Sequence, residues 1–235
     1  FISIISQEVK KLTEYGIDIG QGRVYTDSVK EEDWANNWKQ YYKPTRIGDN
    51  IVIKPEWEDY EAKDDDIVIR MDPGMAFGTG SHETTSMCIA NLEKYVDKDS
   101  TVFDIGCGSG ILGIVAAKLG AKDVVGIDID AVAVKVAKEN ISKNGVDKVM
   151  VAMEGNLADD MDKDKKADIV VANIIADIIV ILAKDVKSFL KEGGIFISSG
   201  IILAKIDEVV ASLEENGFEI VSVEKKGEWA CVIAR

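Results

Sequence analysis

The sequence contains few of the residues that build metal sites or disulfide frameworks. It holds three cysteines, Cys88, Cys107 and Cys231, and a single histidine, His82. The cysteines are odd in number and widely separated, and none of the short spacings that bring zinc ligands together is present. We therefore expect neither a metal site nor a disulfide scaffold.

Long apolar runs and a secretion signal are missing as well. The longest apolar run covers residues 174–183 and is interrupted by Asp177, so we expect no membrane span. The amino terminus shows no basic region and no cleavage site, and a start at Phe1 rather than Met suggests a fragment or a processed product. These absences predict a cytoplasmic protein.

A basic surface is also lacking, because the 235 residues carry a net charge of −14. Binding to nucleic acid phosphates needs clustered Lys and Arg side chains, so we expect no direct contact with bare nucleic acid. An acidic surface suits a basic partner, or simply keeps the protein in solution. With 46% hydrophobic residues, the chain is long enough to bury one sizeable core with a small appendage.

From residue 100 onward, patterns typical of strands and helices alternate. Strands are predicted at 101–105, 124–128, 149–154, 168–173, 194–199, 218–224 and 229–234, and helices at 111–119, 131–144, 176–190 and 203–215. Such alternation indicates parallel strands with crossover helices on both faces of the sheet. The last two strands are joined by a short connection and should pair as an antiparallel hairpin. The predicted fold is α/β and Rossmann-like, a mostly parallel seven-stranded sheet that ends in an antiparallel hairpin.

Residues 1–70 differ in character and are predicted to form a linker helix and an extension packed on the main domain, which covers 71–235. Within this extension, a helix and two short strands are expected at 2–15, 51–53 and 67–70. A further helix would carry Trp34, Trp38 and Tyr41 on one face. We interpret that aromatic face as packing on the main domain, with a surface for docking a partner as the alternative.

Two glycine-rich segments, 72–86 and 102–110, flank a single short helix and suggest a cofactor held from two sides. In the second segment, the spacing is Asp104-x-Gly106-x-Gly108-x-Gly110. Glycines at such a turn let a ligand lie against bare main chain. The turn serves dinucleotides through their pyrophosphate. In class I methyltransferases it holds the amino-acid end of S-adenosylmethionine (SAM), and an acid such as Asp104 helps to orient it.

Asp128 ends the second strand, 22 residues after Gly106. An acid at this place can accept hydrogen bonds from both hydroxyls of a ribose, which NAD and SAM share. The alternative is that Asp128 caps the following helix, but Asp130 stands directly before Ala131 and is the better cap. Asp128 is thus available to bind the ribose. Asn156 or its neighbours, which follow the third strand, are expected to contact the base.

Asn173 ends the fourth strand, and a residue in that position faces the ligand crevice of such a sheet. Its amide carries both a donor and an acceptor, which many amino-directed methyltransferases use to orient the target nitrogen. Those enzymes have Asn-Pro-Pro followed by an aromatic residue, whereas this chain has Asn-Ile-Ile-Ala. On the residues alone, a helix-capping role for Asn173 stays open.

These motifs together resemble one family. The loop Asp-Pro-Gly-Met-Ala-Phe-Gly-Thr-Gly-Ser-His-Glu-Thr-Thr at 72–85, with 104–110 and 173–176, is similar to the PrmA family, bacterial methyltransferases of ribosomal protein L11. The resemblance covers nearly the whole chain and includes the terminal Glu228-Trp229. It implies a class I fold and a SAM-dependent protein N-methyltransferase. The implied products are S-adenosylhomocysteine and methylated L11, modified at its α-amine and lysine side chains.

The resemblance also implies roles for individual residues. SAM contacts are implied at Thr85, Gly106, Asp128 and Asn173, with further lining by Phe77, Gly78, Thr79, His82, Asp104 and Gly108. Asn173 would in addition orient the acceptor amine. For His82, the alternative is a structural hydrogen-bonding role.

The chain departs from the family at its front. Family members carry a small amino-terminal domain that recognises the ribosomal protein, and this chain begins about where the connecting helix is expected. Two alternatives therefore remain: a class I methyltransferase for another protein, RNA or a small molecule, and a SAM-binding module inactive without that domain. NAD-dependent oxidoreduction is less favoured, because no acid–base pair for hydride transfer is recognisable.

Overall fold

The computed structural model describes residues 2–25, 42–71, 82–157 and 164–235. Contacts divide the chain into two units, Phe1–Tyr42 and Lys43–Arg235. In the first unit, helix α1 covers Ile2–Lys11 and is followed by a 3₁₀ turn over Leu12–Tyr15, which confirms the helix predicted at 2–15. Trp34, Trp38 and Tyr41 lie outside the described residues, so their aromatic face stays a prediction.

The second unit opens with a small sheet of three strands, β1 (Thr45–Ile47), β2 (Ile51–Lys54) and β3 (Ile67–Arg70). Strand β2 pairs antiparallel with β1 and parallel with β3. The small sheet shares a hydrophobic core with the main sheet, so the contacts group these strands with the main domain rather than with residues 1–42. We keep 71–235 as the proposed methyltransferase domain, with the small sheet packed on it.

Within the described residues, the main sheet has seven strands in the order β6-β5-β4-β7-β8-β10-β9. The strands are β4 (Thr101–Ile105), β5 (Asp123–Asp128), β6 (Met150–Glu154), β7 (Ala167–Asn173), β8 (Leu190–Ile202), β9 (Ile220–Lys226) and β10 (Trp229–Ala234). Strands β4 to β8 run parallel, and β10 pairs antiparallel with both β8 and β9. This arrangement confirms the predicted α/β fold with its terminal hairpin.

The helices of this unit cover the sheet on both faces. They are α2 (Glu83–Tyr95), α3 (Ile111–Leu119), α4 (Ala131–Lys143), α5 (Ala176–Val186) and α6 (Ile206–Glu215). Side chains alternate along the central strands, so that Val102 and Val171 join one core while Phe103 and Val170 join the other. Both faces are therefore covered, as the alternation of strands and helices along the sequence predicted.

Strand β8 is longer than the predicted 194–199 and covers Leu190–Ile202. The prediction of a helix up to residue 190 is correspondingly wrong, since α5 ends at Val186 and a short 3₁₀ turn follows. The two ends of β8 form through pairing, with Leu190 opposite Ala167 of β7 and Ile202 opposite Trp229 of β10. Pairing with distant strands is not visible in the local sequence, so the prediction missed both ends of β8. None of the described helices is both long and apolar enough to cross a membrane.

Candidate functional site

The predicted site residues meet at one edge of the main sheet. Because β4, β5, β6 and β7 are parallel, their carboxyl ends open onto the same crevice, on both sides of the central strand β4. A cavity of about 590 Å³ lies there. Its lining includes Thr85, Gly106, Gly108, Asp128, Asn156 and Asn173, all of them singled out from the sequence.

The glycine turn between β4 and α3 forms one wall of the cavity. Gly106, Gly108 and Gly110 have φ values of 72°, 53° and 80°, in the left-handed region that favours glycine. A Cβ on Gly106 would lie 2.4 Å from Cγ2 of Ile174, so the close packing of the turn also requires glycine there. Bare main chain at Gly106 and Gly108 therefore faces the cavity, as the spacing predicted.

Asp128 lies beside this turn and is bound to it. Its Oδ2 accepts a hydrogen bond from Gly108 N at 2.8 Å, and its Oδ1 accepts one from Asp130 N at 3.0 Å. Asp130 in turn accepts from Val132 N at 2.8 Å and caps helix α4, as predicted. A carboxylate has about four acceptor positions, so Asp128 keeps two for a ligand. Contact with a ribose stays a prediction.

Asn173 ends β7 and forms part of the opposite wall. Its Nδ2 donates a hydrogen bond to Thr85 Oγ1 at 3.2 Å, across 88 positions of sequence. The residue that precedes helix α5 is Ile175, and no side chain caps that helix, so Asn173 is not the cap that the residues alone allowed. Among the described residues, its Oδ1 has no hydrogen-bond partner, and Asn173 itself lines the cavity.

His82 combines a structural contact with a place on the cavity wall. It stands directly before helix α2, and its Nδ1 accepts a hydrogen bond from Thr84 N at 3.4 Å and lies 2.8 Å from Thr84 Oγ1. Its ring and that of Trp229 form a T-shaped contact, with 5.2 Å between the ring centroids and 68° between the ring planes. The structural role that the sequence left open is thus present, and His82 and Trp229 both line the cavity.

Asp104 differs from the other predicted residues because it does not line the cavity. It is 1% exposed, and its Oδ2 accepts a hydrogen bond from Gly113 N at 2.9 Å in helix α3. Its Oδ1 has no partner among the described residues. Burial, and to a smaller extent the charge of Asp128, raise the pKa of Asp104 to about 7, against the opposing effect of the Gly113 N–H. Asp104 therefore joins the end of β4 to the first turn of α3, on either side of the glycine turn.

This raised pKa predicts a pH dependence of stability. The folded state keeps a proton on Asp104 that the unfolded chain, with a carboxyl pKa near ~3.9, has lost. The free energy of unfolding should therefore fall as pH rises from about 4 to about 7, by up to ~1.4 kcal/mol per pH unit. The asparagine in Asp104→Asn does not titrate, so the free energy of unfolding of this variant should lack this pH-dependent decrease. Urea unfolding of both proteins at pH 5 to 8 tests it, and parallel stability curves would contradict the prediction.

Several residues of the cavity wall were not predicted from local motifs. Three predicted residues cannot be placed on it. Phe77, Gly78 and Thr79 lie outside the described residues and stay predictions. Newly identified on the wall are Trp229, Gly200, Cys107, Leu112, Ile127, Ile129, Ile174, Ile175 and Ile178, and Leu157 lies there beside Asn156, whose neighbours were predicted to contact the base. Leu157 has a φ of 49°, which is uncommon for a residue other than glycine. The signal that could have found many of them is their place directly after a strand end.

This sheet order, with a glycine turn and an acid at neighbouring strand ends, defines a class I methyltransferase. The chain belongs to the PrmA family, because the family model described as "Ribosomal protein L11 methyltransferase (PrmA)" matches residues 3–235. Proteins named ribosomal protein L11 methyltransferase from Clostridium botulinum (strain Eklund 17B / Type B) and Alkaliphilus oremlandii are each 59% identical over 234 residues. Those matches cover 100% of this chain and 74% of each relative.

Solved structures support the same assignment. A ribosomal protein L11 methylase from Lactobacillus delbrueckii subsp. bulgaricus is similar with a TM-score of 0.77 and 37% identity. That match covers 83% of this chain and 98% of the other. A precorrin-6y C5,15-methyltransferase from Geobacter metallireducens has a TM-score of 0.55 at 18% identity, covering 66% of this chain and 89% of its own. At that identity, the likeness shows the fold alone.

Proposed function

We propose that this chain transfers methyl groups from SAM to amino groups of ribosomal protein L11, at the α-amine and at lysine side chains. The observation that carries the proposal is the shared cavity. In a member of the PrmA family, it brings the glycine turn, Asp128 and the Asn173–Thr85 pair to one crevice. We further infer that the protein works in the cytoplasm, because ribosomal proteins are made there.

The residues of the cavity fit SAM in size and in chemistry. A volume of about 590 Å³ falls within the ~300–1,000 Å³ usual for ligand and cofactor clefts. Asp128 retains acceptor positions for ribose hydroxyls, and the side chains of Ile129 and Leu157 offer apolar surface to a base on the same side. Thr85 Oγ1 already accepts from Asn173, so its own O–H is available to donate to the carboxylate of the methionine end.

In such a reaction, the protein contributes mainly by aligning the two reactants and excluding water, because the positively charged sulfur is already a good leaving group. When bound, SAM would supply a methyl group on a positively charged sulfur. The nitrogen lone pair would form the new N–C bond, the C–S electron pair would stay on the sulfur of S-adenosylhomocysteine, and solvent water would take the amine proton. A lysine amine, with a reference pKa near ~10.4, is mostly protonated at neutral pH. We propose that Asn173 Oδ1 accepts an N–H of the neutral amine, which turns the nitrogen lone pair toward the methyl group.

The acceptor side of the cavity is proposed to be the part bounded by Asn173, His82 and Trp229. Trp229 begins β10, two strands beyond β7, and thus lies away from the ribose side at Asp128. An aromatic face can pack on the methylene stem of a lysine and attract its ammonium form before deprotonation. The His82 ring packs against the Trp229 ring in a T-shaped contact and so helps to fix that wall.

A transfer assay tests the proposal. The chain is incubated with SAM labelled in its methyl group and, in parallel, with purified L11, total RNA and a pool of metabolites. We expect label in L11, and a loss of most transfer in Asn173→Ala with SAM binding weakened less. Label in RNA or in metabolites alone would favour a methyltransferase for those substrates. Binding of SAM without any transfer would favour a binding module that is inactive without further sequence.

A further inference from the structure

Two buried asparagines near the end of α4 connect the glycine turn to the small sheet. Asn140 is 1% exposed and Asn144, directly after the helix, is 6% exposed. Neither residue lines the 590 Å³ cavity. Asparagine is a poor helix former because its amide competes with the backbone for hydrogen bonds. A buried asparagine in or beside a helix therefore indicates that its amide binds something outside the helix.

Asn140 binds the glycine turn from the side away from the cavity. Its Nδ2 donates a hydrogen bond to the backbone oxygen of Ser109 at 2.9 Å. Ser109 stands between Gly108 and Gly110, both in left-handed conformation. Glycines lose the most conformational freedom on folding and have no side chains to hold them in place. The amide of Asn140 therefore adds a side-chain anchor near the end of a turn whose beginning is held by hydrogen bonds from Gly106 N and Cys107 N to Ile127 O.

Asn144 binds β3, which among the described residues is an outer strand of the small sheet. Its Oδ1 accepts from Arg70 N at 2.9 Å, and its Nδ2 donates to Arg70 O at 2.8 Å. Arg70 ends β3, which is an edge strand of the three-stranded sheet. The side-chain amide thus pairs with the main chain as a neighbouring strand would.

The two asparagines also contact each other. Asn144 Nδ2 donates a hydrogen bond to Asn140 O at 2.9 Å, and Asn144 N donates to the same oxygen at 3.0 Å. A continuous series of hydrogen bonds therefore runs from Arg70 through Asn144 and Asn140 to Ser109. Its far end is one residue from Gly108, whose N–H binds Asp128 on the cavity wall.

We propose that Asn140 and Asn144 are positioning residues for cofactor binding. They hold the glycine turn against the small sheet, so that Gly106 and Gly108 present their main chain to the cavity and Gly108 N stays in register with Asp128. This inference rests on the proposed binding of SAM. Asn140 contacts the turn itself and should matter more than Asn144, which acts through Asn140 and through the small sheet.

The test is calorimetric binding of S-adenosylhomocysteine, together with the melting temperature of each protein without ligand. Asn140→Ala should raise the dissociation constant about five- to tenfold, which is the effect of one hydrogen bond. Asn140→Asp keeps the shape of the side chain but loses the donor, and it should weaken binding to a similar extent. It serves as the second variant in case the alanine variant folds poorly. Because both residues act through one series, the effects of Asn140→Ala and Asn144→Ala should be less than additive in the double variant.

Asn91→Ala is the matched control. Asn91 is 2% exposed on α2 and, like Asn144, its Nδ2 binds the carbonyl four residues earlier, Met87 O at 3.0 Å, as well as Glu224 at 2.9 Å. Neither of these hydrogen bonds reaches the glycine turn or β3. Its loss should lower the melting temperature but leave the dissociation constant within about twofold.

The outcomes separate this inference from the proposed function. If the unaltered protein binds S-adenosylhomocysteine and both Asn140 variants bind it as tightly, the positioning role is wrong and the proposed function stands. If the Asn91 variant weakens binding as much as Asn140→Ala does, the effect is general destabilisation and the positioning role is again wrong. If the unaltered protein binds no S-adenosylhomocysteine, the proposed function fails and the inference fails with it.

Discussion

Gly200→Ala is expected to destabilise the protein by about 2–5 kcal/mol and to abolish most cofactor binding. Gly200 has a φ of 85°, and a Cβ there would lie 2.3 Å from the carbonyl oxygen of Ile174 and 2.9 Å from its carbon. The left-handed conformation costs an alanine about 1–2 kcal/mol, and overpacking typically adds about 1–3 kcal/mol. Because the obstructing atoms belong to the main chain, no side-chain rotation can relieve the contact.

The effect on binding follows from the position of Ile174. This residue lies on the cavity wall between Gly200 and the glycine turn, where its Cγ2 already leaves no room for a Cβ on Gly106. Displacing Ile174 away from Gly200 therefore moves it against Gly106 or into the cavity. Calorimetry with S-adenosylhomocysteine should show a loss of affinity of more than about tenfold, equal to ~1.4 kcal/mol.

Gly193→Ala is the control for this prediction, because Gly193 lies in the same strand, β8. Its φ is 73°, and a Cβ there would meet nothing within 4 Å. This variant should show only the conformational cost of about 1–2 kcal/mol in urea unfolding, with binding unchanged. If both variants lose the same stability and both keep their affinity, the contact between Gly200 and Ile174 is not what requires glycine.

Asp128→Ala should weaken the binding of SAM and S-adenosylhomocysteine by roughly 1.5–3 kcal/mol, the range for hydrogen bonds to a charged group. This corresponds to about a 10- to 150-fold rise in the dissociation constant. The carboxylate has two functions at once, since it is the expected partner of the ribose hydroxyls and it also holds Gly108 N at 2.8 Å. Its removal therefore frees one end of the glycine turn as well.

Two further variants distinguish these functions. Asp130→Ala removes the cap of α4 and should cost about 0.5–2 kcal/mol of stability with little change in affinity. Asp128→Asn keeps one acceptor oxygen and should bind more weakly than the unaltered protein but better than the alanine variant. Unchanged affinity in Asp128→Ala, measured calorimetrically, would remove Asp128 from the site.

Some roles in the site could be predicted from motifs in the sequence, and others could not. The assignment of the cap to Asp130 and the exposure of Asp128 to the cavity followed from order along the chain, since a cap must precede its helix directly. The contribution of Trp229 did not follow, because a strand's first residue faces a ligand only if the strand is placed beside the right neighbours. Likewise, the motif predicts that Asp104 helps to orient the ligand, whereas the fold buries its side chain and binds it to Gly113 N.

Local chemistry was sufficient for the order and type of the elements. Apolar runs, a helix period and glycine-rich turns are properties of adjacent residues, and they predicted the strands and helices of the sheet, its terminal hairpin and the glycine turn. The tertiary structure alone decided which distant residues meet: Thr85 with Asn173 across 88 positions and Arg70 with Asn144 across 74, as well as Ile174 between two glycines. Such contacts depend on strand order and helix packing, and a single chain carries no periodic signal for a hydrogen bond between segments so far apart.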